Sequence, residues 1–328
     1  MKNLRRILVA VKDPDAKRLP AVDKAVQLAH AFGAQIVLFH GITERLSADA
    51  ALLEEGGLIG AERALRTRYR NKLETLAERL RADGLKVNVA TEFDFPVYEA
   101  VVRQAQRVKA DLIVAECHAG RRLAPWLLHI TDWELLRTSP VPVLLVKNAK
   151  PYRNPVVLAA LDPAHAFAKP AKLDTEILRR AGQFTKALRG SLHAMHAYNA
   201  VPLAVTAMDG PGSVVAVNAL VDLQERSRKA FLREVKGKVQ RSRQHLVNDV
   251  PIDAIPATAK ATDAAIVVMG AISRSGLKRV LIGNTAEQVL NKLTCDVLVV
   301  KPPGFASRVS RVGRGVRIVA SPTFPTPY

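Results

Sequence analysis

Short runs of Val, Ile and Leu recur along the chain, each bounded by polar or turn-forming residues: Ile7–Val11, Ile36–His40, Val87–Thr91, Leu112–Ala115 and Val143–Val146. These runs are apolar throughout rather than alternating, which predicts strands buried on both faces and therefore a parallel sheet. Between them, Ala21–Phe32 and Glu62–Arg81 carry apolar residues at helical spacing. Strands alternating with helices predict a doubly wound α/β layer with right-handed crossovers. In such sheets ligands bind beyond the carboxyl ends of the strands, where the strand order reverses.

The pattern occurs twice. Residues 110–147 align without a gap on residues 264–301, so that Leu112-Ile113-Val114 meets Ile266-Val267-Val268, Thr131 meets Thr285 and Val143–Lys147 meets Val297–Lys301. Upstream, ILVAVKDP (7–14) matches VVLAALDP (156–163), pairing Asp13 with Asp162. IVLFHG (36–41) matches LHAMHA (192–197), pairing His40 with His196, and DFPVYEAV (94–101) matches DVPIDAIP (249–256). The order is the same in both halves, which indicates a duplicated domain of about 150 residues. The boundaries expected are a first domain over 1–148, a connector over 149–155, a second domain over 156–303 and a basic, flexible tail over 304–328. Glu44–Gly60 and Asn199–Gly212 read as loops that could cover a site.

One stretch carries candidate chemistry. In VVMGAISRSGLKRVLIGNTAEQVL (267–290), Gly270 ends a strand and Gly283-Asn284-Thr285 opens a helix, with Arg274 and Lys278 between them. A glycine at a strand end lets a phosphate or ribose approach the backbone, and the free N–H groups of a helix's first turn favour an anion. The same residues also fit a plain capped loop, because Asn284 with Glu287 is a cap-type pairing. There is no Walker pattern and no GxGxxG. In the first half Glu116 replaces Gly270, Ala119 replaces Ser273, Arg122 replaces Gly276, His129 replaces Gly283 and Ile130 replaces Asn284. A carboxylate at the Gly270 position would crowd and repel a phosphate. Thr131 and Glu134 still read as a capping box, so this half is expected to keep the helix start and to have lost the anion chemistry.

Composition narrows the function classes. Hydrophobic residues make up 48% of the 328 residues, which is globular composition. Cys117 and Cys295 are the only cysteines, which excludes a disulfide framework and points to a reducing, cytoplasmic setting. The apolar run at Ile7–Val11 is too short for a secretory leader, and no run reaches the roughly 18 residues of a membrane span. The net charge of +19 suggests an anionic partner. Four of the positive charges, Arg308, Arg311, Arg314 and Arg317, lie in a tail without acids, and aromatics are only 5%, which offers little for base stacking and argues against a nucleic acid. The tail reads either as disordered or edge-augmenting, or as an anchor for acidic lipid or nucleic acid. His193 and His196 point to opposite strand faces, which argues against a shared metal. His40 and His196, at matching strand ends, suit a role in the fold. Cys117-His118 reads better as a small buried thiol than as a nucleophile with its base, and Trp126 and Trp133 read as packing residues or the lining of an apolar pocket.

The strand-then-Asp openings LVAVKDP and LAALDP, the TDWELLR and GNTAEQVL elements and the closing VLVVKPP resemble the universal stress protein family, in its tandem two-domain type. The resemblance covers residues 1–303. It implies two tandem Rossmann-like, doubly wound α/β domains, each a five-stranded parallel sheet flanked by helices, paired within one chain. One branch of the family binds ATP through G-x2-G-x9-G-[S/T]. Here the first and third glycines are Gly270 and Gly283. Ser273 stands at the second, and Asn284 stands at the Ser/Thr position with Thr285 one further on. The strand-end acid, near the nucleoside in the family, is Asp162, and Ala197 ends the next strand. The candidate nucleotide-binding residues are thus Asp162, Ala197, Gly270, Ser273, Arg274, Gly283, Asn284 and Thr285, with ATP and Mg as the candidate ligand and no metal site of the protein's own. Three functions follow: a non-enzymatic stress-response binding protein whose second half holds a nucleotide; a structural or interaction module without nucleotide, with room for an apolar ligand; and a weak ATPase. The expected partners are the small ligand, the internal pseudo-dimer of the two halves and a homodimer, and not nucleic acid.

Overall fold

The computed structural model describes residues 4–47, 57–117, 125–163, 172–198, 211–270 and 284–319. It divides into two compact units, one of residues 1–141 with 307–328 and the other of residues 142–306.

In the first unit, β1 (Arg6–Ala10), β2 (Gln35–Ile42), β4 (Val87–Phe93) and β5 (Leu112–Glu116) form a parallel sheet in the order β4-β2-β1-β5. Helices α1 (Pro20–Phe32), α2 (Gly57–Ala82), α3 (Val97–Arg107) and α4 (Pro125–Thr138) connect them. The central strands are apolar along their buried stretches because both faces are covered there, and the polar Arg6 and Glu116 stand only at strand ends. Ile7, Leu8 and Val9, and Leu112, Ile113 and Val114, are all fully buried. Helix α1 begins with proline in its first turn and ends at Gly33, whose φ of 66° is a left-handed C-cap that only glycine adopts without strain.

In the second unit the order is β6 (Val143–Val146), β11 (Asp296–Val300), β10 (Ala264–Gly270), β7 (Val156–Leu161), β8 (Ser191–Tyr198), β9 (Gln244–Asn248). All pairs are parallel except β6–β11, where Leu144 stands opposite Leu298. Its helices are α5 (Leu173–Ala187), α6 (Pro211–Val235), α7 (Pro251–Ala261) and α8 (Asn284–Lys292). Within the second repeat the strands run third-second-first-fourth-fifth, so the strand order reverses at β7, beside β10, which is where sheets of this kind hold ligands.

Several expectations shift. Residues 57–60 and 211–212, read as loop, belong to the first turns of α2 and α6, and residues 45–47 form a short strand, β3. The connector is held through its first half. The buried Asp296 carboxylate accepts hydrogen bonds from the Lys147 and Asn148 amides at 2.8 and 3.0 Å and from the Tyr152 hydroxyl at 2.6 Å. Gly190 lies so close to this segment that a Cβ there would meet the Pro155 carbonyl oxygen at 2.0 Å. Residues 307–319, read from composition as part of a flexible tail, are hydrogen-bonded to the first unit through Ser310 and Arg314 and end in β12 (Arg317–Val319), parallel to β3. Among the described residues no helix is long and apolar enough to cross a membrane.

Candidate functional site

The second repeat brings three of the candidate residues to one end of its sheet. The register pairs Ala159 with Val268, and Leu161 with His196. Asp162, directly after β7, therefore lies beside Ala197 on one flank, with Gly270, the last residue of β10, on the other. The Asp162 amide donates to Asp174 Oδ1 at 3.1 Å, which ties the end of β7 to the first turn of α5. Ala197 is buried. Thr285, half-buried, stands in the first turn of α8, and Asn284 is that helix's first residue. Ser273, Arg274 and Gly283, with the loop that carries them, lie outside the described residues.

Gly270 carries a packing constraint that the sequence did not reveal. A Cβ built on it would sit 2.6 Å from Leu173 Cδ2 and 3.2 Å from Leu173 Cγ. Leu173, buried at the start of α5, occupies the space that the missing side chain leaves. The glycine is therefore accounted for by close helix–strand packing without a ligand. A phosphate could reach its backbone on that side only if Leu173 turned away.

The first repeat differs at the corresponding place. Helix α4 begins at Pro125, well before Thr131, so Thr131 and Glu134 lie inside the helix and not at its start. Pro125 suits the first helical turn, and without a glycine at position 129 nothing interrupts the helix there. The amides at 129–131 fall where an α-helix bonds them to its own preceding turn. Where the second repeat has Gly270, Glu116 is half-buried beside Lys12. Burial raises Glu116 above the ordinary carboxylate range, with the Lys12 charge opposing. Partial desolvation of its ammonium lowers Lys12, against the opposing charges of Asp132, Glu116 and Cys117. Glu116 thus stands at the place of Gly270 with the charge of Lys12 near it. Lys12 was not singled out by the sequence, although a lysine directly after a buried strand is the available signal. Asp13, the counterpart of Asp162, accepts the Asp15 amide at 2.9 Å in a local turn.

The two matched histidines do the same structural work. His40 Nδ1 lies 2.8 Å from the Val11 carbonyl oxygen, and His196 Nδ1 lies 3.1 Å from that of Leu161; each buried ring ties its strand to the end of the strand beside it. Burial lowers the pKa of His40. Cys295 is buried and its thiol is pushed up to about 11. Trp133 is half-buried in α4; the side chain of Trp126 lies outside the described residues. Among the described residues no group of three or more His, Cys, Asp or Glu could hold a metal ion.

A twice-repeated Rossmann-like fold, with a strand-order reversal in the second repeat, defines a tandem protein of the doubly wound α/β class. The chain belongs to the Universal stress protein family, which matches residues 3–147 and 170–301. It is 29% identical over 317 residues to Universal stress protein E of Salmonella typhi, spanning 92% of this chain and 96% of that protein. It is 28% identical over 324 residues to the Universal stress protein E of Photorhabdus laumondii, spanning 93% and 97%. Among solved structures, a functionally unknown protein from Pseudomonas aeruginosa PAO1 superposes with a TM-score of 0.69 at 26% identity, covering 91% of this chain and 93% of that one. A putative universal stress protein from Pseudomonas aeruginosa UCBPP-PA14 superposes with a TM-score of 0.68 at 27% identity, covering 91% and 94%.

Proposed function

We propose that this chain is a non-enzymatic, cytoplasmic stress-response binding protein whose second repeat holds a nucleotide of the ATP type, while the first repeat supports the fold. The observation that carries this reading is the convergence of Asp162, Ala197 and Gly270 at the reversal point between β7 and β10, with α8 opening at Asn284 after the glycine-bearing loop. Asp162 would face the ribose. The first turn of α8 and the Arg274 cation would face the phosphates, with Mg accompanying them. Ser273 and Gly283 would line the loop. The early start of α4 supports the assignment of ligand chemistry to the second repeat alone. The two halves would act as an internal pseudo-dimer. The β6–β11 register supports this: Val143 faces Val299 and Leu145 faces Val297, so the pairing reads the same from either repeat.

A second reading is favoured by one observation. Leu173 fills the space over Gly270, as it would in a module that takes no nucleotide and keeps an apolar interior there. Calorimetric titration with Mg-ATP of the parent and of a Gly283→Val chain separates the two. Saturable binding by the parent alone supports the nucleotide reading; no binding by either chain leaves the second. Steady ATP turnover abolished by Asp162→Ala would replace both with a weak ATPase.

A further inference from the structure

Residues 310–319 lie along one face of the first unit. The Arg314 amide donates to Asp94 Oδ1 at 2.9 Å, and the Arg314 guanidinium donates to Glu99 Oε1 at 3.1 Å. Arg103 Nε donates to the Ser310 carbonyl at 2.9 Å, and Arg103 forms an ion pair with Asp94, with both side chains almost wholly buried. The Arg317 guanidinium stacks 4.2 Å from the centre of the Phe95 ring. Gly313 passes so close to the acids that a Cβ on it would lie 3.1 Å from both Asp94 Oδ2 and Glu92 Oε1. Arg107 pairs with Glu92 at 3.1 Å on the same face. The β12–β3 pairing then continues the contact through backbone hydrogen bonds.

The internal repeat shows which of these residues the fold itself needs. In the second repeat, Asp249 matches Asp94 and binds its own neighbour's amide as Asp94 does, at 2.7 Å against 2.9 Å. That local turn is shared. Glu92, Phe95, Glu99 and Arg103, however, are matched by Val247, Val250, Ala254 and Thr258. The second repeat makes the same strand–helix corner without them. The corner therefore does not itself require these four side chains.

We propose that Glu92, Asp94, Phe95, Glu99 and Arg103 form a recognition groove for an extended, arginine-bearing peptide, which the chain's own residues 310–317 occupy as a releasable strap. The chemistry is of two recurrent kinds: carboxylates reading a basic segment, and strand addition at a short edge. Release is built into the contact. Arg314, Val312 and Ile318 remain largely exposed, the Arg314 end of its ion pair with Glu99 reaches solvent, and β12 has only three residues.

The test uses the full chain, its Gly313→Val variant and a fluorescent peptide of residues 306–319. The substitution lies in the strap, so the core of the first unit is untouched, and circular dichroism checks this. In the parent, amide hydrogen exchange at Arg314 should be slowed at least about tenfold, as for a hydrogen bond to a carboxylate, and added peptide should not bind. In the variant that protection should vanish and the peptide should bind saturably, more weakly as salt rises. Adding Glu99→Gln to the variant should weaken peptide binding about fivefold. An unprotected Arg314 amide in the parent, a protected one in the variant, or no peptide binding by the folded variant would each overturn the proposal.

Discussion

The glycine that ends β10 separates packing from ligand binding as the reason for its identity. Gly270 has no left-handed φ, so alanine there carries no backbone penalty, and the cost of Gly270→Ala is the collision of its Cβ with Leu173. An overlap of this size, against the end of a side chain that can shift slightly, should cost about 1–3 kcal/mol, reduced by the few tenths that glycine removal contributes through the unfolded chain. Leu173→Ala alone empties a buried leucine site and should cost about 2–5 kcal/mol. In the double variant the new methyl enters the space that the leucine vacates. The double variant should then be more stable than the sum of the single losses predicts, by about 1–2 kcal/mol. Urea unfolding followed by circular dichroism at constant m-value measures all three. Strict additivity, or a Gly270→Ala chain as stable as the parent, would refute the packing account and leave ligand access as the reason for the glycine. Mg-ATP titration of the same variants reports the second role independently.

Other outcomes follow from the same structure. Asp296→Ala removes the acceptor of two backbone amides and a buried tyrosine hydroxyl, and should lower the unfolding free energy by about 3–5 kcal/mol; a loss under 1 kcal/mol would show that 147–152 is not held by this carboxylate. His193 Nδ1 and His245 Nε2 lie 3.0 Å apart, and both residues are lowered from the ordinary imidazole pKa, first by burial and, for His193, also by the His245 and Arg243 charges. Their neutral forms, like that of His40, are thus favoured in the native state. The unfolded chain binds more protons just below its own pKa, so stability should be full above about 6.5 and decline as pH falls toward the folded values. A urea midpoint that stays flat between pH 7.5 and 5.5, or a His245→Gln chain with an unchanged slope, would contradict this. Cys295, buried with its thiol near 11, should react with iodoacetamide at pH 8 only in denaturant, whereas the half-buried Cys117 should react in the native protein; equal native rates would show that the Cys295 environment opens.

The sequence by itself determined the duplicated α/β architecture. Strands buried on both faces are apolar along their buried stretches, and two copies of that pattern in the same order leave little room for another topology. Ile7–Val11 and Leu112–Ala115 lie within one residue of their strands at both ends, and Ala21–Phe32 within one residue of its helix. It also marked the strand ends where Asp162 and Gly270 stand, because glycine and acid at those points interrupt the apolar runs. What only the tertiary structure decided are contacts between residues far apart in the chain. Leu173 filling the place of a missing Cβ, Asp296 holding the connector and the basic terminal segment lying on Asp94 and Arg103 leave no periodic trace, since each depends on where distant elements meet. The start of α4 belongs with them. Thr131 and Glu134 have the spacing of a capping box, but such a box acts only where the helix begins, and with Pro125 to open the helix and no glycine to stop it, the helix begins earlier.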